Sequence, residues 1–223
     1  MTDERARPTT SRYAGPRIDI SMPLVPGMPA FPGDPEFSVT PVRSVEGGDP
    51  YNLSAVRLGS HAGTHIDPPL HFLPGTTSVD RLDLDLLNGP ALVLEVPIAS
   101  TAVGSEELRE VPAGTERLLL HTSNSARWDR GSAFFPEYVA VTLAGAQKLR
   151  TLGVRFVGID SLSIESDPSE RFPVHRDLLG HGIPILEGLL LGSAPSGEYW
   201  LDCLPLRLKN GDGGPARAVL RAP

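Results

Sequence analysis

Three histidines and one aspartate, His61, His65, Asp67 and His71, fall within eleven residues in the stretch GSHAGTHIDPPLHFLPG, residues 59–75. Imidazole nitrogen and carboxylate oxygen are the ordinary ligand mix of zinc and its first-row neighbours. On an unbroken helix His61 and His65 would share one face, as the paired histidines of zinc proteases do. Gly63 weakens such a helix, and Pro68 disfavours the helical region at Asp67. The stretch therefore predicts a shaped loop. One histidine of this set, taken alone, reads as an ordinary surface group; four donors in so short a segment predict a metal pocket.

A second pair with chemical potential is His175 and Glu187, twelve residues apart. Glu187 is the lone acid between the apolar runs IPIL and GLLL. A carboxylate in such surroundings is costly unless it is paired or bound to a cation. His175, taken alone, reads as a surface helix residue, and so does His181. Joined to the first cluster, His175 and Glu187 would complete a site for two metals, with carboxylates bridging and imidazoles capping. Asp80, Asp83 and Asp85 alternate with Leu82, Leu84 and Leu86 and read instead as a solvated acidic face. Phe31 sits in PLVPGMPAFPGDPEF, a stiff loop rich in proline and glycine, where it either lines a substrate pocket or plugs the core.

The elements that must position these groups alternate between strand and helix. Residues 17–22, 37–42 and 52–58 alternate apolar and polar side chains and predict short strands, the last leading into the histidine-rich loop. Residues 91–96 and 117–120 are near-continuous apolar runs and predict buried strands. The second ends at His121, Thr122, Ser123 and Asn124, the strand end where open α/β sheets keep ligands. Residues 105–110 predict a short helix with a serine cap. A helix capped by Thr142 and stopped by Gly153 feeds a strand over 154–159 that ends at Asp160, which is the order of a βαβ unit. FPVHRDLLG predicts a helix with Pro173 near its start and Gly180 or Gly182 near its end, followed by a strand over 183–186. Residues 198–208 and 216–221 predict a strand pair joined by NGDGG.

Length and charge bound the function. A chain of 223 residues buries a substantial core without staples. Net charge of -7 supplies no footprint for nucleic acid or an anionic membrane, so neither is an expected partner. The single cysteine, Cys203, excludes an internal disulfide framework and suits a reducing compartment. No apolar targeting core or membrane-length run is present, and the expectation is a soluble, unprocessed, cytoplasmic protein. Glycine and proline, 23 of each, are spread between apolar runs and punctuate a fold with many turns. Residues 1–16 are polar and aperiodic and predict a flexible N-terminal arm, with a single domain over 17–223.

HAGTHIDPPLHF resembles the HxGTHxDxPxH signature of the cyclase family of metal-dependent hydrolases, which includes bacterial kynurenine formamidases. DISMPLVPGMPAFPGDPEF, LGVRFVGIDSLSIE, FPVHRDLLGHGIPILEGL, GEYWLDCLPLRL and ARAVLR also resemble family segments, so the likeness runs from residue 17 to residue 221. It implies a swivelling β/α/β fold of the α/β class, a single domain with a mixed central sheet, and a homodimer or homotetramer. It implies His61, His65, Asp67, His175 and Glu187 as metal ligands, with Asp67 and Glu187 as bridges, and His71 as the catalytic histidine. Phe31 falls where formamidases carry a substrate-contacting aromatic, usually tryptophan.

The chemistry implied is metal-dependent hydrolysis of an aryl formamide such as N-formylkynurenine by a metal-activated water, with one or two divalent ions per subunit, zinc first and manganese second. His71 would shuttle the proton to the leaving amine, and Phe31 with Phe72 or Trp128 would hold an aromatic substrate. Phe31 in place of tryptophan, Asp-Pro-Pro in place of the commoner Asp-Ala-Pro, and HTSNSARW after the central strand resemble the general cyclase branch equally. Within the family the alternatives are an isatin hydrolase-like cyclic amide hydrolase and a polyketide-type cyclase. Outside it stands a structural metal-binding protein, which would close its coordination sphere and have no use for His71.

Overall fold

The computed structural model describes residues 10–128, 134–166 and 171–223. Twelve strands and four α-helices are found among them. The strands are β1 (Arg17–Asp19), β2 (Ser38–Arg43), β3 (Leu53–Arg57), β4 (His65–Asp67), β5 (Asn88–Glu95), β6 (Ala102–Val103), β7 (Arg117–His121), β8 (Ala140–Val141), β9 (Phe156–Ile159), β10 (Ile185–Glu187), β11 (Gly197–Pro205) and β12 (Gly214–Arg221). The helices are α1 (Leu84–Leu87), α2 (Ser125–Trp128), α3 (Leu143–Leu152) and α4 (Pro173–Gly180).

Eight strands form one sheet in the order β1-β12-β11-β5-β7-β9-β10-β4, and β4 also pairs with β12. That extra pairing closes the sheet into a barrel-like core. β5, β7, β9 and β10 run parallel, and the pairs that involve β1, β4, β11 and β12 are antiparallel. The mixed central sheet expected of the α/β class is thus present. The alternation within β7 explains how it is covered: Leu118 and Leu120 pack toward α3 and α4, while Leu119 joins Phe156, Ile66, Leu186, Leu201 and Leu220 inside the closed sheet. Being buried on both faces is what a continuous apolar run requires of a parallel strand.

Helix α3 begins and ends where its caps place it. The Thr142 hydroxyl accepts from the Gly145 N–H at 3.1 Å, and Gly153 takes the left-handed conformation at φ 86°. The hairpin of β11 and β12 turns at 206–213, around the expected NGDGG.

Three expectations are corrected. Residues 105–110 form successive turns, not a helix; Ser105 Oγ donates to the Ala144 carbonyl, and Glu107 accepts from Gly104 N–H. The histidine-rich segment is not wholly loop, because His65–Asp67 is strand β4. Three residues are too few for periodicity to reveal, and the strand exists because β10 and β12 pair with it from either side. Asp83 and Asp85 are exposed as expected, but the segment does not alternate as a strand would: Val79–Arg81 is a 3-10 turn, and Asp83 caps α1 through Asp85 N–H.

Of the expected arm, residues 1–9 lie outside the described residues. Thr10–Tyr13 form a 3-10 turn, with Tyr13 buried and its ring centroid 5.7 Å from that of Trp200. Strands β2 and β3 form a separate ribbon whose residues are exposed along its whole length. Among the described residues no helix is long and apolar enough to cross a membrane.

Candidate metal centre and active site

The closure of the sheet at β4 builds the site. In the β10–β4 pair Glu187 stands opposite His65, and Ile185 opposite Asp67, so the two halves of the sequence signal meet by strand register. Close approach of the neighbouring loops is secured by glycine. Gly63 and Gly188 both have positive φ, 64° and 68°, and a Cβ on Gly188 would lie 2.3 Å from the Gly63 carbonyl oxygen. Thr64 Oγ1 bridges the same seam, donating to the Gly188 carbonyl at 2.5 Å and accepting from Met22 N–H at 2.7 Å.

His61, His65, Asp67, His175 and Glu187 converge there. His61 Nδ1 is 2.8 Å from Asp67 Oδ1, and His65 Nε2 is 3.4 Å from both Asp67 Oδ1 and Glu187 Oε2. His175 Nε2 is 3.2 Å from Glu187 Oε1 and 3.7 Å from Asp67 Oδ2. All five except His61 are almost fully buried. Two trios result, His61/His65/Asp67 and Asp67/His175/Glu187, each with donor atoms within 4.8 Å of one another, and Asp67 belongs to both.

The donor set fits a divalent cation on three observations. Atoms held about 2.1 Å from a tetrahedral ion lie about 3.4 Å apart, which is the spacing of His65 Nε2 from its two carboxylates. Asp67 Oδ2 and His61 Nε2 are buried without a hydrogen-bond partner among the described residues. The remaining ring nitrogens are spoken for: His65 Nδ1 lies 2.9 Å from the Gly63 carbonyl and His175 Nδ1 2.5 Å from Glu165 Oε1, so each donates there and turns its Nε2 inward.

The charges of the cluster act on one another. Burial alone would depress His65, but bonds to Asp67 and Glu187 raise it well above the usual imidazole value. Burial likewise opposes charge on His175, but bonds to Glu165 and Glu187 outweigh it and raise the group to about 10. Asp67 would be raised by burial, yet His61 and His65 hold it well below the usual carboxylate range. His71 behaves differently: burial, with no hydrogen-bonded carboxylate to offset it, lowers it. Its Nε2 stays 4.0 Å from Asp67 Oδ2, and its ring packs against His61 at a centroid distance of 4.0 Å and against Phe72 at 4.4 Å. A histidine neutral at pH 7 and close to the cluster without bonding to it can take up and return a proton.

A cleft of about 260 Å³ opens onto the cluster, lined on its apolar side by Phe31, Phe72, Leu162 and Phe172. His61, His65, His71, His175 and Glu187 form its floor and wall. Phe31 and Phe72 thus line the cleft. Trp128 does not: its indole N–H donates to the Asp160 carbonyl at 2.7 Å, and its ring packs on Phe135.

Four residues that sequence reasoning passed over also bear on the site. Glu165 accepts from the N–H groups of Val174 and His175 as well as holding the His175 ring. Asp212 Oδ2 lies 3.6 Å from His61 Nε2. Gly213 packs flat on the His61 ring. Asp34 lines the cleft. Only Glu165 had a local signal, as the acid that directly follows Ile164 shortly before the His175 helix.

The model of the family described as a putative cyclase matches residues 18–166. The chain belongs to the cyclase family. Among cyclase-family relatives, the kynurenine formamidase of Polaromonas naphthalenivorans (strain CJ2) is 35% identical over 210 residues, covering 92% of this chain and 88% of its own. A solved structure described as a potential metal-dependent hydrolase with cyclase activity is 31% identical, with a TM-score of 0.79 over 93% of this chain and 99% of that one. Isatin hydrolase A from Labrenzia aggregata, at 20% identity, has the same fold, with a TM-score of 0.79 over 93% of both chains.

Proposed function

We infer that this member of the cyclase family is a metal-dependent hydrolase of carbon–nitrogen bonds that cleaves an aryl formamide, with N-formylkynurenine as the leading candidate. The observation that carries the reading is the shared, buried and partly unsatisfied Asp67 in a cluster whose histidines and Glu187 line an aromatic cleft, with a neutral histidine beside it. The identity to a kynurenine formamidase over nearly the whole chain supports the substrate class.

His61, His65, Asp67, His175 and Glu187 would hold one or two divalent ions, with Asp67 common to both positions; the mix of nitrogen and carboxylate favours zinc, with manganese second. A bound cation of this kind polarises an amide carbonyl and lowers the pKa of water toward neutrality. Phe31, Phe72 and Phe172 enclose an aryl ring and keep bulk water from it. His71 Nε2 accepts a proton from the attacking water and returns it to the nitrogen that leaves. The water oxygen forms the new bond to the formyl carbon, the carbon–nitrogen bond breaks, and the products are formate and an arylamine.

The exposed ribbon of β2 and β3 supports a homo-oligomer. Two strands alone are marginally stable in water, and Val39, Val42, Leu53 and Val56 all stand at least two-fifths exposed there. Light scattering on the purified chain tests this, and a monomer at micromolar concentration would contradict it.

A panel of N-formylkynurenine, isatin and formanilide, assayed after reconstitution with zinc or manganese, tests the activity. Formamide turnover is expected. Turnover of isatin alone would replace the reading with that of a cyclic amide hydrolase.

A further inference from the structure

The substrate-facing side of the cleft carries one acid that the metal cluster does not claim. Phe31 and Asp34 are the two ends of a tight turn: Asp34 N–H donates to the Phe31 carbonyl at 3.0 Å, with Pro32 and Gly33 between them and Gly33 at φ 97°. Proline then glycine is the sequence a type II turn requires, so the spacing of the two side chains is fixed by backbone rather than by packing. Both residues line the cleft. Asp34 is absent from both metal trios and from the third set of close donors, His61, His71 and Asp212, and among the described residues no hydrogen bond or ion pair engages its carboxylate. The cleft crowds it enough that desolvation raises it, against the opposing pull of His61 and His65. Asp34 is solvent-exposed at the mouth of the cleft, so it tolerates being unpaired and is open to a cation that arrives with the substrate. No lysine or arginine is found among the described residues that line the cleft.

We propose that Asp34 is a specificity-determining residue that binds an ammonium group on the substrate's side chain while Phe31, three residues before it, contacts the substrate's ring. The preferred substrate is therefore an aryl formamide with a pendant primary amine, and aryl formamides whose only charge is a carboxylate are disfavoured. This rests on the formamidase reading and adds to it a recognition element that the chemistry itself does not need.

The test compares metal-loaded wild type and Asp34→Asn on three formamides: N-formylkynurenine, its desamino analogue, and formanilide. A charge-assisted hydrogen bond lost on substitution predicts a KM for N-formylkynurenine raised roughly tenfold or more. The kcat on that substrate and both constants on the desamino analogue and formanilide should stay within about twofold. Equal loss of kcat on all three would place Asp34 in the metal machinery and overturn the proposal, as would three unchanged KM values. Asp34→Glu, which keeps the charge, should recover part of the KM and guards against a folding defect in Asp34→Asn. Failure of wild type on every formamide would sink the formamidase reading separately. In that event, binding of kynurenine against desaminokynurenine, measured by calorimetry, still decides Asp34: wild type must prefer the amine and Asp34→Asn must not.

Discussion

Glu165 Oε1 lies 2.5 Å from His175 Nδ1, and the same carboxylate accepts from the N–H groups of Val174 and His175 at the start of α4. One buried side chain therefore orients the imidazole, fixes which nitrogen carries its proton, and caps the helix that carries it. Outer partners of metal-bound histidines are worth about 10–100-fold in metal affinity. Glu165→Gln keeps an acceptor for the ring and removes the charge, so its metal affinity should fall about tenfold with little change in thermal stability. Glu165→Ala should approach a hundredfold and also lower the melting temperature, because two N–H groups at the helix start lose their acceptor. Metal titrations paired with melts check both, and wild-type affinity in Glu165→Ala would show that the contact does not orient His175.

Gly213 is where β12 leaves room for His61. A Cβ at that position would lie 2.5 Å from His61 Cε1 and 2.8 Å from Nε2, so the ring must swing away. Gly213→Ala should fold, since the obstructing atom belongs to a side chain, yet bind metal more weakly and lose activity. The effect should be non-additive with His61→Ala, which removes the clash along with the donor. A full thermodynamic cycle on metal affinity measures this, and additive losses would mean that Gly213 acts elsewhere.

The sequence carried the parts of this site that depend on short spacing. His61, His65, Asp67 and His71 announce themselves because one short stretch of chain holds them all, and α3 because Thr142 and Gly153 are local start and stop signals. Strands buried on both faces, such as β7, were legible as apolar runs. What stayed hidden depends on closure of the sheet. Strand β4 is three residues long and exists through pairing with β10 and β12. Asp212 and Gly213 reach His61 from about 150 residues away because β12 pairs beside β4. Residues 105–110 failed in the opposite sense: a serine followed by acids has the local form of a helix start, but Glu107 folds back to Gly104 and Ser105 turns to Ala144.

Metal-free protein should lose stability as pH rises. His175 titrates at about 10 in the fold, above its ordinary 6.5, because Glu165 and Glu187 outweigh burial. A group raised on folding stabilises fully below its unfolded value, and that contribution disappears as pH climbs through the folded one. Its window is therefore about 6.5 to about 10. His65, also raised, adds loss of the same sign. Asp67, depressed, contributes in the acid direction, losing its share as pH falls below the carboxylate range. Melts of chelator-treated protein should decline from pH 6.5 toward pH 9.5. Metal uptake near neutral pH should release protons, since a cation competes for the same nitrogens. A melting temperature that rises across that interval would contradict the charge arrangement.

His71 separates an enzyme from a passive metal binder. It stands 4.0 Å from Asp67 Oδ2, too far to bond, stacks on His61, and is kept neutral by burial. A structural metal site gains nothing from such a residue, whereas proton transfer by a placed group is worth roughly 10²–10⁴ in rate. His71→Ala should therefore keep its full metal content by elemental analysis and lose turnover by about that factor, chiefly in kcat. Because removing the ring opens space beside Phe72 and His61, His71→Gln serves as a control that fills the volume without supplying a comparable base. It should be as slow as His71→Ala. Turnover close to wild type in either variant would remove His71 from the reaction, and loss of metal in both would make it a ligand.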